Sequence, residues 1–229
     1  MITISRLEKS YGSGPGAVRA NRTISLTIYD GEFVVFAGPS GSGKTTLLNM
    51  LGALDSPTSG SLTINGNDLT AMSPRELSRF RRDHLGFVFQ RSNLVSSLTV
   101  MDNALLQLRL QGRLTDSSRR AVEELIDRVG LGDKKTRLPR DLSGGEQQRA
   151  AIIRAVASAP ALVVADEPTA SLDAENAAGV LNVMRALNYE LGTTIVVSSH
   201  DERVIRVGRR IVRLTDGRVV SDTGSTRER

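Results

Sequence analysis

The residues best suited to chemistry form a glycine-rich run, Gly38-Pro39-Ser40-Gly41-Ser42-Gly43-Lys44-Thr45-Thr46. It matches the phosphate-loop pattern G-x-x-x-x-G-K-[ST] and directly follows an apolar segment, 33–37, that predicts a buried strand. Glycines let the backbone turn its N–H groups toward phosphate oxygens, and the start of the following helix adds positive charge. We therefore expect Lys44 to reach the β- and γ-phosphates of a nucleotide and the Thr45 hydroxyl to bind Mg²⁺.

Two adjacent acids end a second apolar run, 161–165. Asp166 has the oxygen chemistry of a Mg²⁺ shell, in contact through water. Glu167 is placed to activate an attacking water as a general base. Two acids at a strand end are often only part of a solvated loop, but the phosphate loop upstream favours a hydrolytic site.

A third run, Leu142-Ser143-Gly144-Gly145-Glu146-Gln147-Gln148-Arg149, has the pattern of a helix start. Ser143 and Glu146 predict a capping box, and the two glycines leave the backbone N–H groups uncovered. Such a start is either a plain N-cap, worth about 1 kcal/mol, or an anion site. A second anion site in a chain that already has a phosphate loop needs an explanation.

This third run resembles the signature sequence of ATP-binding-cassette (ABC) ATPases. With the phosphate loop and the Asp166-Glu167 strand end, residues 1–217 are similar to a complete nucleotide-binding domain of that family. Four more positions match family motifs, and the resemblance implies their roles. They are Tyr11, which stacks on adenine, Gln90, at the Mg²⁺ and γ-phosphate, Asp173, which communicates across a dimer, and His200, which contacts the γ-phosphate.

The resemblance implies a full set of site residues. The implied catalytic residues are Lys44, Gln90, Glu167 and His200. The implied metal ligands are Thr45, Gln90 and Asp166. The implied nucleotide contacts are Tyr11, residues 38–46, Gln90, Ser143, Gly144, Gly145 and Asp173. Two departures from the family pattern, Glu146 for the commoner glutamine and Ser199 where threonine is frequent, leave the catalytic positions intact.

A narrower resemblance joins the chain to one bacterial subgroup of the family. Its marks are the runs 49–60, Gly86 to Gln90, Asn93-Leu94, 98–100 and Ala165 to Thr169. The subgroup contains the ATPases of macrolide exporters, lipoprotein-release complexes and the cell-division ABC complex, known as the MacB, LolD and FtsE types. Its members work with a separate membrane protein, and not all of them move a substrate through it.

The resemblance also implies cofactors and partners. ATP and Mg²⁺ would be bound by a homodimer, in which two copies pack head to tail. Each ATP would lie between one phosphate loop and the Ser143-Gly144-Gly145 helix start of the other copy. Motion would pass to an integral-membrane permease on a separate chain. We therefore expect a peripheral location on the cytoplasmic face of the inner membrane, and a soluble protein when it is expressed alone.

Two alternatives stay open. One is a nucleotide-gated regulatory ABC ATPase, as in a cell-division complex, which the sequence does not separate from an exporter or a lipoprotein-release ATPase. The other is a soluble ABC ATPase that acts on DNA or ribosomes. It is disfavoured because the chain has no cysteine for a zinc hook, no long heptad run and one phosphate loop. A P-loop kinase or GTPase is disfavoured by the signature run and by the lack of an N-K-x-D sequence.

The elements that must position these residues belong to an α/β fold. Parallel strands with helices on both faces are predicted by three apolar runs, 33–37, 161–165 and 194–198. An antiparallel edge is predicted by two runs that are less apolar, 23–28 and 61–64, and by the hairpin turn Asn65-Gly66.

Helices are predicted by their ends and by their spacing. Ser73-Pro74-Arg75-Glu76 is a capping-box sequence, and Gly130 follows an apolar helical face at 121–129. We expect a single ABC ATPase domain, 1–229, with a P-loop NTPase (RecA-like) core and a parallel sheet. Its predicted parts are an α/β core with an antiparallel β edge subdomain at 1–90 and 159–222, an inserted helical subdomain at 91–158 and a polar tail at 223–229.

The composition bounds the class of protein. The 229 residues carry a net charge of +5, with 39% hydrophobic and 24% charged residues, as in an ordinary globular protein. Because there are no cysteines, disulfide frameworks and thiolate zinc sites are excluded. Because there are only two histidines, His84 and His200, we expect no histidine-rich metal cage. We expect neither a membrane span nor a secretion signal, since the apolar runs are short. Basic residues are scattered and aromatic residues make up 3%, so we expect no nucleic-acid partner.

Overall fold

The computed structural model describes residues 1–224, which contain ten β-strands and seven α-helices. The strands are β1 (Ile2–Tyr11), β2 (Val18–Ile28), β3 (Phe33–Ala37), β4 (Ser59–Ile64), β5 (Asn67–Asp68), β6 (Leu85–Val88), β7 (Leu162–Asp166), β8 (Thr194–Ser199), β9 (Arg210–Thr215) and β10 (Arg218–Asp222). The helices are α1 (Lys44–Leu51), α2 (Pro74–His84), α3 (Val100–Leu110), α4 (Asp116–Arg128), α5 (Gly144–Val156), α6 (Ala174–Leu191) and α7 (Glu202–Val207). Within residues 1–224, no helix combines the length and the apolar composition that crossing a membrane requires.

A six-stranded sheet with the order β10-β9-β3-β8-β7-β6 forms the centre of the molecule. Strands β9, β3, β8, β7 and β6 pair in parallel, and β10 joins β9 antiparallel. The three apolar runs that predicted buried parallel strands form β3, β7 and β8, so that prediction is confirmed. Every residue of β3 is at most 1% exposed, because both faces of the sheet are covered.

Side chains of β3 alternate between two hydrophobic cores. Phe33, Val35 and Ala37 pack into the core that α3, α4, α5 and α6 form on one face of the sheet. Val34 and Phe36 pack into the core on the other face, which contains α1, α2 and strands of a second sheet. The strand that precedes the phosphate loop is therefore held from both sides, which defines where the loop begins.

The second sheet is antiparallel throughout and has the order β2-β1-β4-β5. The predicted edge segments 23–28 and 61–64 lie in β2 and β4. Asn65 and Gly66 join β4 to β5 with φ angles of +48° and +79°, the left-handed pair that a two-residue hairpin favours. The predicted antiparallel edge and its hairpin are confirmed.

Side chains cap the helices where the sequence predicts them. The Ser73 hydroxyl accepts from the Glu76 N–H at 3.4 Å, and the Glu76 carboxylate accepts from the Ser73 N–H at 2.8 Å. Ser143 and Glu146 form the same reciprocal pair at the start of α5, at 3.3 and 2.9 Å. Gly130 lies just beyond α4 with a φ of +74°, as a C-terminal cap glycine does.

Residues 91–158 contain three helices, α3, α4 and α5, and these pack on the same core as the parallel sheet. The boundaries of the predicted helical subdomain remain predictions. At the predicted polar tail, Thr223 still pairs with Ile211 of β9, through hydrogen bonds of 2.9 and 3.1 Å. The rest of that tail, 225–229, lies outside the described residues.

Asn103 on α3 organises the loop that leads into this helix. Its side chain is fully buried and donates to the carbonyls of Val95, Leu98 and Thr99 at 3.1, 3.0 and 3.0 Å. Its Oδ1 accepts from the Val95 N–H at 2.8 Å. Asn103→Ala leaves these backbone groups without their partner, so we expect the free energy of unfolding to fall by about 2–3 kcal/mol in a urea titration.

A matched substitution tests whether this loss is specific. Asn182→Ala makes the same change at an exposed position of α6. Its unfolding free energy should stay within about 0.5 kcal/mol of the unsubstituted protein. Equal losses in the two variants would contradict the role assigned to Asn103.

Candidate functional site

The glycine-rich run forms a tight loop between β3 and α1. Gly43 has a φ of +94°, and a Cβ at this position would lie 2.3 Å from the Ala20 carbonyl oxygen. A Cβ at Gly38 would lie 2.2 Å from the Leu214 carbonyl oxygen. Only glycine fits at either position, so the loop runs directly along β2 and β9. Helix α1 then begins at Lys44, and its first N–H groups face the loop.

Lys44 lies within this loop. Its ammonium group donates to the carbonyls of Gly38 and Pro39 at 2.7 and 2.9 Å, and the residue is 6% exposed. The loop carbonyls hold the charged group over the concave side of the loop. A lysine held there can bind phosphate oxygens as a point charge.

Asp166 and Thr45 form a cluster of side-chain oxygen atoms at the carboxyl end of β7. The Thr45 hydroxyl donates to Asp166 Oδ1 at 3.2 Å, and the Ser198 hydroxyl donates to the same oxygen at 2.5 Å. A carboxylate and a hydroxyl are hard oxygen donors of the kind Mg²⁺ prefers, so the residues present fit this ion. Ser198 was not among the site residues predicted from the sequence. Its signal was its position at the end of the predicted strand 194–198, which pairs it with Asp166.

The orientation of the Glu167 side chain is set by a left-handed backbone conformation, with a φ of +45°. Its N–H donates to the Ser198 carbonyl at 3.2 Å and lies 3.2 Å from the Ser198 hydroxyl. Its carboxylate lies 2.8 Å from His200 Nδ1 and accepts from the Ser199 hydroxyl at 3.3 Å. Strained conformations of non-glycine residues cluster at functional sites, and here the turn directs the carboxylate toward the phosphate loop.

Lys44, Thr45 and Glu167 line one cavity of about 660 Å³, within the range of small-molecule sites, whereas Asp166 is not among its lining residues. The predicted site residues that line it are Pro39, Ser40, Gly41, Gly43, Lys44, Thr45, Thr46, Gln90, Glu167 and His200. Gln90 comes from the segment after β6, Glu167 follows β7 and His200 follows β8. The structure therefore collects, around the phosphate loop, residues from three different strand ends. Their roles in the reaction remain predictions.

Residues that the sequence did not single out also line this cavity. They are Val18, Arg19, Ala20, Arg22, Ala170, Asp216 and Gly217. Most belong to β2 or to the turn between β9 and β10, which are far from the phosphate loop in sequence. No local pattern in the sequence marks them.

Tyr11, the predicted adenine-stacking residue, is not among the residues that line the cavity. Its hydroxyl donates to Asp55 at 2.7 Å, and the Lys9 ammonium lies 4.9 Å from its ring centre. Burial, and then the hydrogen bond to Asp55, raise the pKa of Tyr11 above its usual value. Its role as an adenine contact remains a prediction.

The signature run and Asp173 lie together, outside the cavity. Ser143 and Asp173 cap α5 and α6, and the Asp173 carboxylate accepts from the Asn176 N–H at 2.9 Å. A Cβ at Gly145 would lie 2.2 Å from Asn176 Oδ1, so the two helix starts pack closely. Ser143 and Gly144 are exposed. The start of α5, which the sequence predicts as an anion site, therefore does not line the cavity of its own chain.

The sequence profile of the ABC transporter family matches residues 21–170. The chain belongs to the ABC transporter family. An uncharacterized ABC transporter ATP-binding protein of Methanocaldococcus jannaschii is 40% identical over 96% of this chain and 98% of its own length. The macrolide export ATP-binding/permease protein MacB of Marinobacter nauticus is 40% identical over 98% of this chain, which spans 35% of that longer protein.

A solved structure is similar over the whole fold of this ABC protein. The ATP-binding cassette MJ0796, in a dimeric post-hydrolysis state with ADP and Pi, is 39% identical, with a TM-score of 0.86 over 97% of both chains. The predicted P-loop NTPase fold and the resemblance to ABC ATPases, including the MacB type, are confirmed. This protein is an ATP-binding subunit of the ABC transporter family, and its reaction is ATP hydrolysis.

Glu167→Gln should separate nucleotide binding from hydrolysis in this ABC protein. The amide keeps the size of the side chain but cannot accept a proton from water, so ATP should still bind. We expect the turnover number to fall by about 100-fold or more, the contribution of a general base. Phosphate release at saturating ATP measures this loss, and a fluorescent ATP analogue measures binding.

Glu202→Gln, which changes an exposed acid at the start of nearby α7, is the control and should turn over normally. Normal turnover of Glu167→Gln would show that another group is the base.

Proposed function

We propose that this ABC protein hydrolyses Mg²⁺-ATP between two copies of itself and drives a conformational change in a membrane permease. The observation that carries the proposal is the convergence of Lys44, Thr45 and Glu167 on one cavity beside the phosphate loop, with Asp166 hydrogen-bonded to Thr45. A phosphate-binding lysine, an oxygen site suited to Mg²⁺ and a directed carboxylate are the parts that phosphoryl transfer to water needs.

Each residue has a defined role in the proposed reaction. The loop N–H groups and Lys44 bind the phosphates, and Thr45, Asp166 and Gln90 would hold Mg²⁺. The ion, when bound, would neutralise charge on the β- and γ-phosphates. Glu167 accepts a proton from the attacking water, and His200, 2.8 Å from that carboxylate, orients it and reaches the γ-phosphate.

A head-to-tail dimer completes the proposed site. The exposed helix start at Ser143 and Gly144 offers backbone N–H groups to an anion, but it does not line the cavity of its own chain. The γ-phosphate bound by a second copy would supply this anion. The similar cassette MJ0796 has a solved dimeric structure, which supports the arrangement.

The proposed permease contact is a groove beside the segment that follows β6. The groove has a volume of about 250 Å³, and its walls come from β6, α3 and α5. The lining residues are Leu85, Gly86, Phe87, Phe89, Asn93, Leu106, Gln107, Arg154 and Ala155. Gln90 follows this wall directly and lines the nucleotide cavity, so one short segment connects the two sites. The M. nauticus relative is named as an ATP-binding/permease protein, which supports a permease partner, here on a separate chain. The protein would then lie on the cytoplasmic face of the inner membrane.

The permease partner can be captured from native membranes with tagged Glu167→Gln in the presence of ATP and Mg²⁺. We expect one polytopic membrane protein in near-equal amount, identified by mass spectrometry. Leu106→Glu, which places a charge in the groove, should lose this protein. Leu110→Glu, on the same helix but 59% exposed and outside the groove, should keep it. Recovery of soluble proteins or nucleic acid alone would refute the permease proposal.

ATP should also control the oligomeric state. With ATP and Mg²⁺, Glu167→Gln should elute as a dimer in size-exclusion chromatography with light scattering, and without nucleotide the dimer fraction should fall. Adding Ser143→Arg should abolish the dimer, because the new side chain covers the helix start. Adding Thr115→Arg instead removes an equivalent capping box, on α4, and should leave the dimer intact. Dimers that persist with Ser143→Arg would exclude the head-to-tail arrangement.

A further inference from the structure

Arg22 on β2 is a cation that has no partner among residues 1–224, and it lies in the wall of the nucleotide cavity. Its side chain is half-buried and lines the cavity. Its Nε is fully buried and donates to no acceptor among residues 1–224. Within the same residues, its guanidinium forms no ion pair. The positive charge is therefore available to a ligand.

The backbone of Arg22 has a defined position relative to the phosphate loop. Its N–H donates to the Gly217 carbonyl at 2.7 Å, and the Gly217 N–H donates to the Ser42 carbonyl at 3.1 Å. The neighbouring Asn21 side chain donates to the Gly43 carbonyl at 3.1 Å. Strand β2 is thus hydrogen-bonded, directly and through the β9–β10 turn, to the two loop residues that precede α1. The Arg22 side chain therefore lines the same cavity as the loop, from a strand that is hydrogen-bonded to it.

An unpaired guanidinium in this place favours an anion. The group keeps its charge under all ordinary conditions, and a buried N–H without an acceptor costs free energy. Two carboxylates, Asp216 and Glu167, line the same cavity, but neither pairs with Arg22. Phosphate oxygens, which the adjacent loop binds, are acceptors that match the guanidinium.

The position of Arg22 also indicates which phosphate it meets. Gln90, Glu167 and His200 follow β6, β7 and β8 and line the cavity, and under the proposed function, on which this inference rests, hydrolysis takes place beside them. Arg22 approaches from β2, beside Ser42 and Gly43, where the loop enters α1. We propose that Arg22 binds a phosphate that ATP and ADP share, so that it contributes to nucleotide affinity and not to the chemical step.

This assignment has a kinetic signature that differs from that of a structural residue. An interaction made equally in the ground state and the transition state changes KM and leaves kcat unaltered. Arg22→Ala should therefore raise the dissociation constants of ATP and ADP by the same factor, about tenfold to a hundredfold, as expected for loss of a hydrogen bond to a charged group. The turnover number at saturating ATP should not change. Arg22→Lys keeps the charge and should restore part of the affinity.

The experiment measures dissociation constants of ADP and of ATP by titration calorimetry, the latter in a Glu167→Gln background, together with kcat and KM. The control is Arg218→Ala, which removes an exposed arginine outside the cavity and should alter neither affinity. Unchanged ADP and ATP affinities in Arg22→Ala would overturn the proposal. A lower kcat or a lower melting temperature without nucleotide, at unchanged affinity, would also overturn it, because that is the behaviour of a structural residue.

A second variant distinguishes failure of the Arg22 proposal from failure of the proposed nucleotide site. Lys44→Ala should abolish tight nucleotide binding, since Lys44 is the cation at the centre of the loop. If Lys44→Ala loses affinity and Arg22→Ala does not, only the assignment of Arg22 fails. If neither variant loses affinity, the cavity is not the nucleotide site and both proposals fail.

Discussion

Parallel pairing of β3 with β8, and of β8 with β7, is the constraint on which the rest of the structure depends. It places the carboxyl ends of the three strands at one edge of the sheet, where Ala37 lies opposite Ser199 and Asp166 lies opposite Ser198. Neighbouring strands are about 5 Å apart, so groups that follow them meet within a few ångströms. Such a sheet is stable only when both faces are covered, and the two hydrophobic cores meet this requirement.

Hydrogen bonds then orient the side chains of Asp166 and Glu167 at this shared edge. Ser198 is fully buried and touches both acids, since its hydroxyl donates to Asp166 and lies 3.2 Å from the Glu167 N–H. The left-handed conformation of Glu167 turns its carboxylate toward His200. The two acids, adjacent in sequence, are thus directed to different tasks. Asp166 joins Thr45 in a cluster of side-chain oxygen atoms, and Glu167 lines the cavity.

The chain carries two helix starts that are predicted to bind anions, and they do not face the same space. The start of α1 serves the cavity, whereas the start of α5 packs against α6 at Gly145 and Asn176 and is exposed at Ser143. Under the proposed function, a single copy would hold halves of two different sites. In the proposed dimer the nucleotide joins these halves, so its binding energy can favour association and its hydrolysis can reverse it. The proposed groove, which adjoins Gln90, would carry that change to the permease.

Local patterns in the sequence determined the parts of this protein that each occupy one continuous run. The phosphate loop, the acids after 161–165 and the capping box at Ser143 were readable because a strand, turn or helix start depends on neighbouring residues. Only the tertiary structure decided which distant residues join them. Ser198 meets Asp166, and Arg22 lies beside the phosphate loop, through contacts that span 20 residues or more along the chain. Strand order and register create those contacts. Strand order and register result from the packing of whole sheet and helix faces against each other, so no short run of residues predicts them.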